Sequence, residues 1–243
     1  MASSSPPTLY ILNRNYSSWS LRAWLAMRHL KIDFDTELLL VGTPGIPDLG
    51  SPESDELMSR AGPTGKVPAL HVPDESGGKH IVFESLAIME FLAEDHPSLW
   101  PAERLERAYA RSLATEMATG FGPVRNYAMN LREKRPFDPE LYNDKVAKNI
   151  RRLSSIWEEL RSKAATKEDD RGYLFGSFTA LDAMYAPIMF RLRSYDLISK
   201  VQGKHALEYI NHMLNDKAMQ EWEELASRET EVIPSDELYP LQK

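Results

Sequence analysis

The order of strand and helix patterns in the first 95 residues constrains the fold more than any other feature of the sequence. Residues 8–12 form a short β-type run, and a helical pattern with one apolar side begins at about Ser18. Residues 34–40 form a second β-type run. A strand, a helix and a second strand in this order predict a right-handed crossover and a parallel pair of strands.

The remainder of this first region predicts a hairpin followed by a helix. Residues 42–65 are rich in Gly, Pro, Ser and Asp, which favours an irregular segment with at most a short helix. Two β-type runs at residues 67–72 and 79–83 flank a turn at residues 73–78. Residues 85–94 are again helical in pattern, so the predicted order is β-α-β-α-β-β-α.

A change of pattern at residues 96–102 divides the chain into two predicted domains. This segment contains Pro97 and Pro101, and two prolines so close together cannot continue a helix. Beyond it the sequence shows no convincing strand. We therefore expect an α/β domain over residues 1–95, a linker, and an all-helical domain over residues 103–243.

Two apolar stripes in the second region repeat at intervals of three and four residues, which is the spacing of a helix with one buried side. Stripes of this kind form protein cores far more often than ligand sites. The two stripes are Val146, Ile150, Leu153, Trp157 and Leu160, and Leu181, Tyr185, Ile188 and Leu192.

Composition excludes several classes of function. Lys and Arg total 29 against 36 Asp and Glu, a net charge of −7, so we expect no nucleic-acid partner. The absence of cysteine excludes disulfides, zinc–thiolate sites, iron–sulfur clusters and a cysteine nucleophile, and six scattered histidines predict no metal site. Residues 1–7 lack the features of a signal peptide, and no apolar run approaches roughly 18 residues, so we expect a cytoplasmic protein without a membrane span.

Three local features point to a groove for a short, peptide-like anion. Ser17 and Ser18 lie where the first strand ends and the first helix begins, and unpaired N–H groups make such a junction an anion site. The alternative is that one of these serines, or Ser20, is only the N-cap of the helix.

The second and third features lie near the predicted hairpin. Pro68 at the start of a strand suggests a sheet edge or a cis peptide bond, and leaves the Val67 backbone free to pair with an extended chain. Glu84 and Ser85 follow a strand and begin a helix, again a geometry that can receive an anion.

Together these residues resemble the glutathione transferase family over nearly the whole chain. The family combines a thioredoxin-like α/β domain that carries a Val-Pro and a later Glu-Ser dipeptide with an all-α second domain. Thr179 and Asp182 are similar to the family's capping box, and by local logic alone they can cap a helix reciprocally.

Residues 17–22, Ser-Ser-Trp-Ser-Leu-Arg, are most similar to the S-S-C-S-x-R motif of the zeta class, which includes maleylacetoacetate isomerases. Trp19 stands where the zeta motif has cysteine, and Glu84 stands where zeta proteins typically have glutamine. The resemblance therefore implies a serine-type transferase that is zeta-like in its first helix only.

The resemblance implies glutathione as cosubstrate and a small electrophile as second substrate, with a role in detoxification and a homodimeric assembly. Ser17 would donate its hydroxyl to the glutathione sulfur, with Ser18 as the second candidate. Two alternatives stay open: a glutathione-dependent isomerase of the maleylacetoacetate type, and a non-catalytic protein that binds glutathione or another ligand.

The resemblance also assigns the binding residues. Val67 would pair with the cysteinyl backbone of glutathione, oriented by a cis Pro68, and Glu84 and Ser85 would hold the γ-glutamyl amine and carboxylate. Arg22 and Lys66 either neutralise other carboxylates or are surface cations. Candidates for the electrophile site, which could equally be core residues, are Met117, Phe121, Tyr127 and Met129.

Overall fold

A four-stranded mixed sheet forms the first part of the protein, of which the computed structural model describes residues 5–74, 76 and 78–237. The sheet order is β2-β1-β3-β4, with β1 parallel to β2 and β3 antiparallel to both β1 and β4. This confirms the predicted crossover and hairpin, although Glu75 and Gly77 of the predicted turn lie outside the described residues. The strands are β1 Thr8–Leu12, β2 Asp35–Leu39, β3 Ala69–Pro73 and β4 Lys79–Phe83.

Three helices accompany the sheet: α1 Ser18–His29, α2 Pro52–Ser59 and α3 Ser85–Asp95. The predicted element order is confirmed, but β3 begins at Ala69 and not at Val67. Pro68 has no N–H to donate to a strand ladder, so regular pairing starts only after it.

The rest of the described chain is helical, with two short 3₁₀ turns at Pro97–Leu99 and Ile198–Lys200. Within the described ranges no helix is both long and apolar enough to traverse a bilayer. Both predicted stripes are buried, on α6 and α7. An α/β region followed by an all-helical region confirms the predicted fold class. The helices are α4 Arg104–Thr119, α5 Gly122–Arg125, α6 Asp144–Ala164, α7 Ala180–Ser194, α8 Lys204–Leu214, α9 Lys217–Ser227 and α10 Pro234–Glu237.

Helix α1 lies between the sheet region and the helical region. All its residues from Ser20 to Met27 are buried, because β1 and α3 cover one side and α7 and α9 the other. Trp24 of α1 packs on Trp222 of α9 with ring centroids 5.2 Å apart. One hydrophobic core therefore runs through both regions. The domain boundaries at residues 95 and 103 stay a prediction.

Asp216, the N-cap of α9, joins the two regions through a polar contact. Its carboxylate is 3.1 Å from Nε2 of His29 at the end of α1 and accepts a hydrogen bond from the Tyr173 hydroxyl at 2.7 Å. Burial alone would raise the pKa of Asp216, but these hydrogen bonds outweigh it and lower the pKa to about 2.

The predicted capping box forms at the start of α7. Asp182 Oδ2 accepts hydrogen bonds from the backbone N–H of Thr179 at 2.8 Å and from its hydroxyl at 2.9 Å. Oδ1 accepts from the Leu174 N–H and the Tyr209 hydroxyl, each at 3.0 Å. Complete burial raises the pKa of Asp182, and the four hydrogen bonds oppose this rise without cancelling it.

After α9 the described part of the chain returns to the sheet region and reaches the turn before α1. Glu229 pairs with Arg14 at 3.1 Å, and the Ser235 hydroxyl donates to Asp48 at 2.6 Å. The segment passes so close to Gly42 that a Cβ there would lie 2.3 Å from the carbonyl oxygen of Val232. This return places α10 at the end of the sheet where β1 leads into α1.

Candidate active site

A cleft of about 690 Å³ opens where β1 ends and α1 begins. A smaller cavity of about 340 Å³ adjoins it and shares Trp19, Lys66 and Val67 with it. Ser17 and Ser18 line the larger cleft, whereas Pro68 and Glu84 line the smaller cavity. The tertiary structure thus brings together the predicted serines, the Val-Pro dipeptide and the acid of the Glu-Ser dipeptide.

The serine turn is a hydrogen-bonded unit. Ser17 is the N-cap of α1: its Oγ accepts from the Ser20 N–H at 3.3 Å and donates to Ser20 Oγ at 2.7 Å. Ser20 Oγ in turn accepts from the Leu12 N–H at 3.2 Å. Ser17 is therefore both the N-cap and a cleft residue, so the two interpretations of this serine are compatible.

The backbone N–H groups of this turn are mostly occupied. Those of Ser17 and Ser18 donate to the carbonyls of Asn13 and Tyr16, at 3.0 and 2.9 Å. A hydroxyl can both donate and accept, so Ser20 can donate to Ser17 and release the Ser17 proton toward an anion in the cleft. The side-chain hydroxyls, and not the helix backbone, are thus the adaptable donors of this site.

Tyr16 also lines the larger cleft, but its hydroxyl is already engaged. It accepts from Arg132 Nη2 at 2.7 Å and donates to Glu237 of α10. Burial, followed by the bond to Glu237, raises its pKa to about 12. Tyr16 therefore stays neutral and anchors the C-terminal segment, which leaves the serines as donors to a sulfur atom.

Val67 is placed to pair with an extended ligand. The Val67–Pro68 peptide bond is cis, as the sequence suggested. The ladder of β3 begins at Ala69, so the Val67 backbone stays outside the sheet while it borders both cavities. This is the geometry that a short peptide needs to add itself to a sheet edge.

Glu84 has a strained backbone at the entrance to α3. Its φ of +68° lies in the left-handed region, which costs a non-glycine residue roughly 1–3 kcal/mol. Its side chain makes no capping bond and is exposed at the smaller cavity, together with exposed Lys66. Ser85, the first residue of α3, is buried beside them. Opposite charges at one cavity suit a zwitterionic ligand.

The residues proposed for the electrophile site do not lie together in the structure. Met129 lines the larger cleft, but Met117 and Phe121 are buried in the core, and Tyr127 lines another cavity of about 350 Å³. All three are buried core residues outside the larger cleft, which agrees with the alternative that they belong to the core.

Four charged residues of the larger cleft escaped the sequence-based prediction: Asp55, Arg125, Arg191 and Asp236. The signal for Arg191 lay in its position within an apolar run of α7. An arginine is rarely buried unless it is paired, so a predicted buried arginine indicates a partner or a ligand. Arg22, left open as a carboxylate ligand or a surface cation, is 1% exposed and is not on the surface.

A thioredoxin-like sheet, a serine-capped first helix at a cleft and a helical second region are the features on which the predicted resemblance to glutathione transferases rests. Residues 16–95 match the family described as glutathione S-transferase, N-terminal domain. A probable maleylacetoacetate isomerase from Caenorhabditis elegans is 26% identical over 200 residues, covering 80% of this chain and 83% of the relative. A maleylacetoacetate isomerase from Dictyostelium discoideum is 33% identical over 120 residues, 49% of each chain.

Fold comparison agrees with these sequence matches. A glutathione transferase homologue from Burkholderia, crystallised with bound glutathione, superposes with a TM-score of 0.62 and 21% identity over 93% of this chain and 99% of its own. At that identity the superposition shows the fold. The sequence match is thus to the N-terminal domain of the glutathione S-transferase family over residues 16–95, and the whole described chain has the fold of a glutathione transferase.

Proposed function

We propose that this protein is a glutathione transferase that joins the sulfur of glutathione to a small electrophile. The observation that carries the proposal is the placement of Ser17 and Ser18 in the same cleft as Val67, whose backbone lies outside the strand ladder of β3. The match of residues 16–95 to the glutathione S-transferase N-terminal domain and the glutathione bound to a neighbour of the same fold support it.

Glutathione would extend across the two adjoining cavities. Its cysteinyl backbone pairs with Val67, which precedes the cis Pro68. This pairing directs the sulfur toward the serine turn. Its γ-glutamyl end enters the smaller cavity, where Glu84 takes the ammonium group and the N–H of Ser85 takes the carboxylate at the start of α3.

The chemical task is to hold glutathione as a thiolate. A free thiol has a pKa near 8.5, and lowering it by about two units corresponds to roughly 2.7 kcal/mol of selective thiolate stabilisation. Ser17 supplies one donor to the sulfur, and Ser20 supports it by donating to Ser17. The thiol proton leaves to solvent, the sulfur attacks the electrophilic carbon, and the leaving group departs with its electron pair.

A second candidate function is glutathione-dependent isomerisation, which the two maleylacetoacetate isomerases among the relatives favour. In that reaction the same thiolate adds to a maleyl double bond, the resulting single bond rotates, and elimination regenerates glutathione. Both reactions need the serine turn and the Val67 edge, so the second substrate distinguishes them.

Parallel assays with 1-chloro-2,4-dinitrobenzene and with a maleyl substrate test the proposal. A transferase consumes glutathione and releases chloride, whereas an isomerase forms the trans product without loss of thiol. Glutathione binding in calorimetry without turnover of either substrate would identify a non-catalytic protein and refute the proposal.

The binding mode has its own test. Glu84→Gln should weaken glutathione binding about tenfold, since it removes a charged partner of the ammonium group. Glu94→Gln, which removes an exposed carboxylate at the other end of α3, is the matched control and should bind as wild type does. Equal affinities for both variants would remove Glu84 from the site.

We further propose that the protein is a cytoplasmic homodimer that acts in detoxification. Exposed apolar side chains on β4 and α4 support an interface there: Ile81, Phe83, Leu105 and Tyr109. Leu105→Glu should dissociate the dimer, and Leu207→Glu on α8 is the control. A concentration-independent mass near the monomer's 27.7 kDa for wild type would refute dimerisation.

Fractionation of cells tests the proposed location. Survival of electrophile exposure by cells with and without the protein tests the proposed role.

A further inference from the structure

Asn15, in the turn between β1 and α1, links the serine turn to the helical region. It is fully buried two residues before Ser17. Its Oδ1 accepts hydrogen bonds from the backbone N–H groups of Leu131 and Arg132, at 2.9 and 3.1 Å. Its Nδ2 donates to Oδ1 of Asn130 at 3.1 Å. These three hydrogen bonds join parts of the chain that lie more than a hundred positions apart.

The two segments that Asn15 joins form different parts of one cleft. Residues 16–18 line the larger cleft from the serine turn, and Asn126, Ala128 and Met129 line it from the segment that follows α5. We call the part formed by these last three residues the helical wall. Asn15 is buried behind the cleft, so it can act on a ligand only through the residues that it holds.

Helix α7 supports the same segment independently of Asn15. Residues 126–143 lie between α5 and α6, outside any helix or strand. The Tyr195 hydroxyl donates to the carbonyl of Ala128 at 2.9 Å, and the Ser194 hydroxyl donates to the carbonyl of Asn130 at 3.0 Å. Because α7 holds these carbonyls, the helical wall can form without Asn15. What Asn15 adds is a fixed position of that wall relative to the serine turn.

The serine turn likewise has supports within the sheet region. The Asn13 side chain donates to the carbonyl of Val41 at 2.8 Å and accepts from its N–H at 2.9 Å. The Asn13 carbonyl accepts from the Ser17 N–H at 3.0 Å, and the Ser17 hydroxyl is linked to Ser20. None of these bonds involves Asn15, so the donor geometry at Ser17 should survive a change of its side chain.

We propose that Asn15 is a positioning residue that sets the distance between the glutathione sulfur at the serine turn and the helical wall on which the second substrate rests. The inference rests on the proposed function and adds a residue that acts on its second half, the approach of the electrophile. The reason is geometric: attack requires reacting atoms about 3–3.5 Å apart, and a displacement of about 1 Å can cost roughly a hundredfold in rate.

Two ligands that differ only beyond the sulfur test the proposal in calorimetry: glutathione and its conjugate S-(2,4-dinitrophenyl)glutathione. Glutathione reaches the serine turn and the Val67 edge, whereas the dinitrophenyl ring of the conjugate also reaches the helical wall. The ratio of the glutathione Kd to the conjugate Kd therefore measures what that wall contributes. Because the ratio is internal to each variant, partial loss of folded protein cancels.

Asn15→Ala should lower this ratio about fivefold or more, because a gap of about 0.5–1 Å forfeits a quarter to a half of each dispersion contact with the ring. At saturating glutathione and a pH above the thiol pKa, kcat should fall about tenfold or more. The Kd for glutathione itself and the pKa of the bound thiol should both stay at their wild-type values. A loss of stability alone would change neither the ratio nor kcat per folded molecule.

Two further variants make the test specific. Asn15→Asp keeps both acceptor bonds to the helical region and loses only the donor, so its ratio should fall less, by about threefold. Asn143→Ala is the matched control: it also removes an asparagine oxygen that accepts from two backbone N–H groups, those of Lys145 and Val146, but away from the cleft. Its ratio and kcat should equal those of wild type.

An unchanged ratio in Asn15→Ala overturns the proposal, as does a wild type that binds the conjugate no more tightly than glutathione. A raised thiol pKa in Asn15→Ala would assign Asn15 to the serine donors and overturn it as well. Should Asn15→Ala not fold, an unchanged ratio in Asn15→Asp refutes the proposal in its place. A lowered ratio in a protein that conjugates no electrophile would refute the transferase while the role of Asn15 stands.

Discussion

Replacing Ser17 by alanine removes one oxygen atom that performs two tasks. Ser17 Oγ caps α1 by accepting from the Ser20 N–H at 3.3 Å, and it is linked to Ser20 Oγ at 2.7 Å. In the proposed complex the same hydroxyl donates to the glutathione sulfur. The substitution should therefore change stability and thiolate chemistry together, by amounts that can be separated.

The expected magnitudes follow from the two bonds. Loss of the cap should lower the free energy of unfolding by about 1 kcal/mol. Loss of a hydrogen bond to a charged sulfur costs about 1.5–3 kcal/mol, which at about 1.4 kcal/mol per unit raises the thiol pKa by roughly one to two units. Glutathione affinity should change little, because Val67 and Glu84 are untouched.

The assay is the thiolate absorbance of bound glutathione, titrated against pH. Ser17→Ala should show the raised pKa, and its turnover at neutral pH should fall about tenfold or more and recover as the pH approaches 8.5. Ser18→Ala should shift the pKa much less. Asn143→Ala removes the N-cap of α6, away from the cleft, and should lower stability without any change in the titration.

Two outcomes would refute this reasoning. If Ser17→Ala titrates as wild type does while Ser18→Ala shifts upward, the two serines exchange roles. If neither variant shifts, the N-terminus of α1 holds the sulfur without either hydroxyl, and the assignment of a serine-type mechanism is wrong.

Three further predictions concern the fold. Thr179→Ala should lower the free energy of unfolding by about 1–2 kcal/mol with unchanged activity per folded molecule, and an unaltered melting temperature would contradict its role in the capping box. Asp216 has a folded pKa of about 2 against an ordinary 3.8, so its contribution to stability is present above pH 4 and is lost as the pH falls toward 2; denaturation of Asp216→Asn should lack this acid dependence. Gly42→Ala should displace the C-terminal segment and speed hydrogen exchange over residues 229–237, because its Cβ meets the Val232 carbonyl at a positive φ, whereas Gly45→Ala, whose Cβ meets nothing, should not.

Most of the secondary structure could be predicted because its signals are local. The apolar run of β1, the stripes of α6 and α7 and the capping box at Thr179 depend on residues within a few positions of one another. The start of β3 was predicted two residues too early. Pro68 has no N–H to donate, so regular pairing begins only after it, and the pattern of side chains does not show this.

The proposed glutathione side of the site was accessible to sequence reasoning for the same reason. Each of the three proposed residues lies where a strand meets a neighbouring element: Ser17, Val67 and Glu84. Backbone groups at such ends have no partner within their own element. The sequence could locate each junction separately. That they adjoin one cleft follows from the mixed sheet, which places the ends of β1 and β4 beside the start of β3.

The charged lining of the larger cleft was decided by tertiary structure alone. Arg22, Arg125 and Arg191 are separated by up to 169 positions in the sequence. No local pattern shows that Arg22 and Arg125 both meet Trp19, or that Arg191 lines the same cleft as Arg125. Asp236 reaches them only because the chain after α9 folds back across Gly42. Local sequence thus determined which elements form and which of their ends can bind an anion. Long-range packing of the helices determined which charged side chains line the larger cleft.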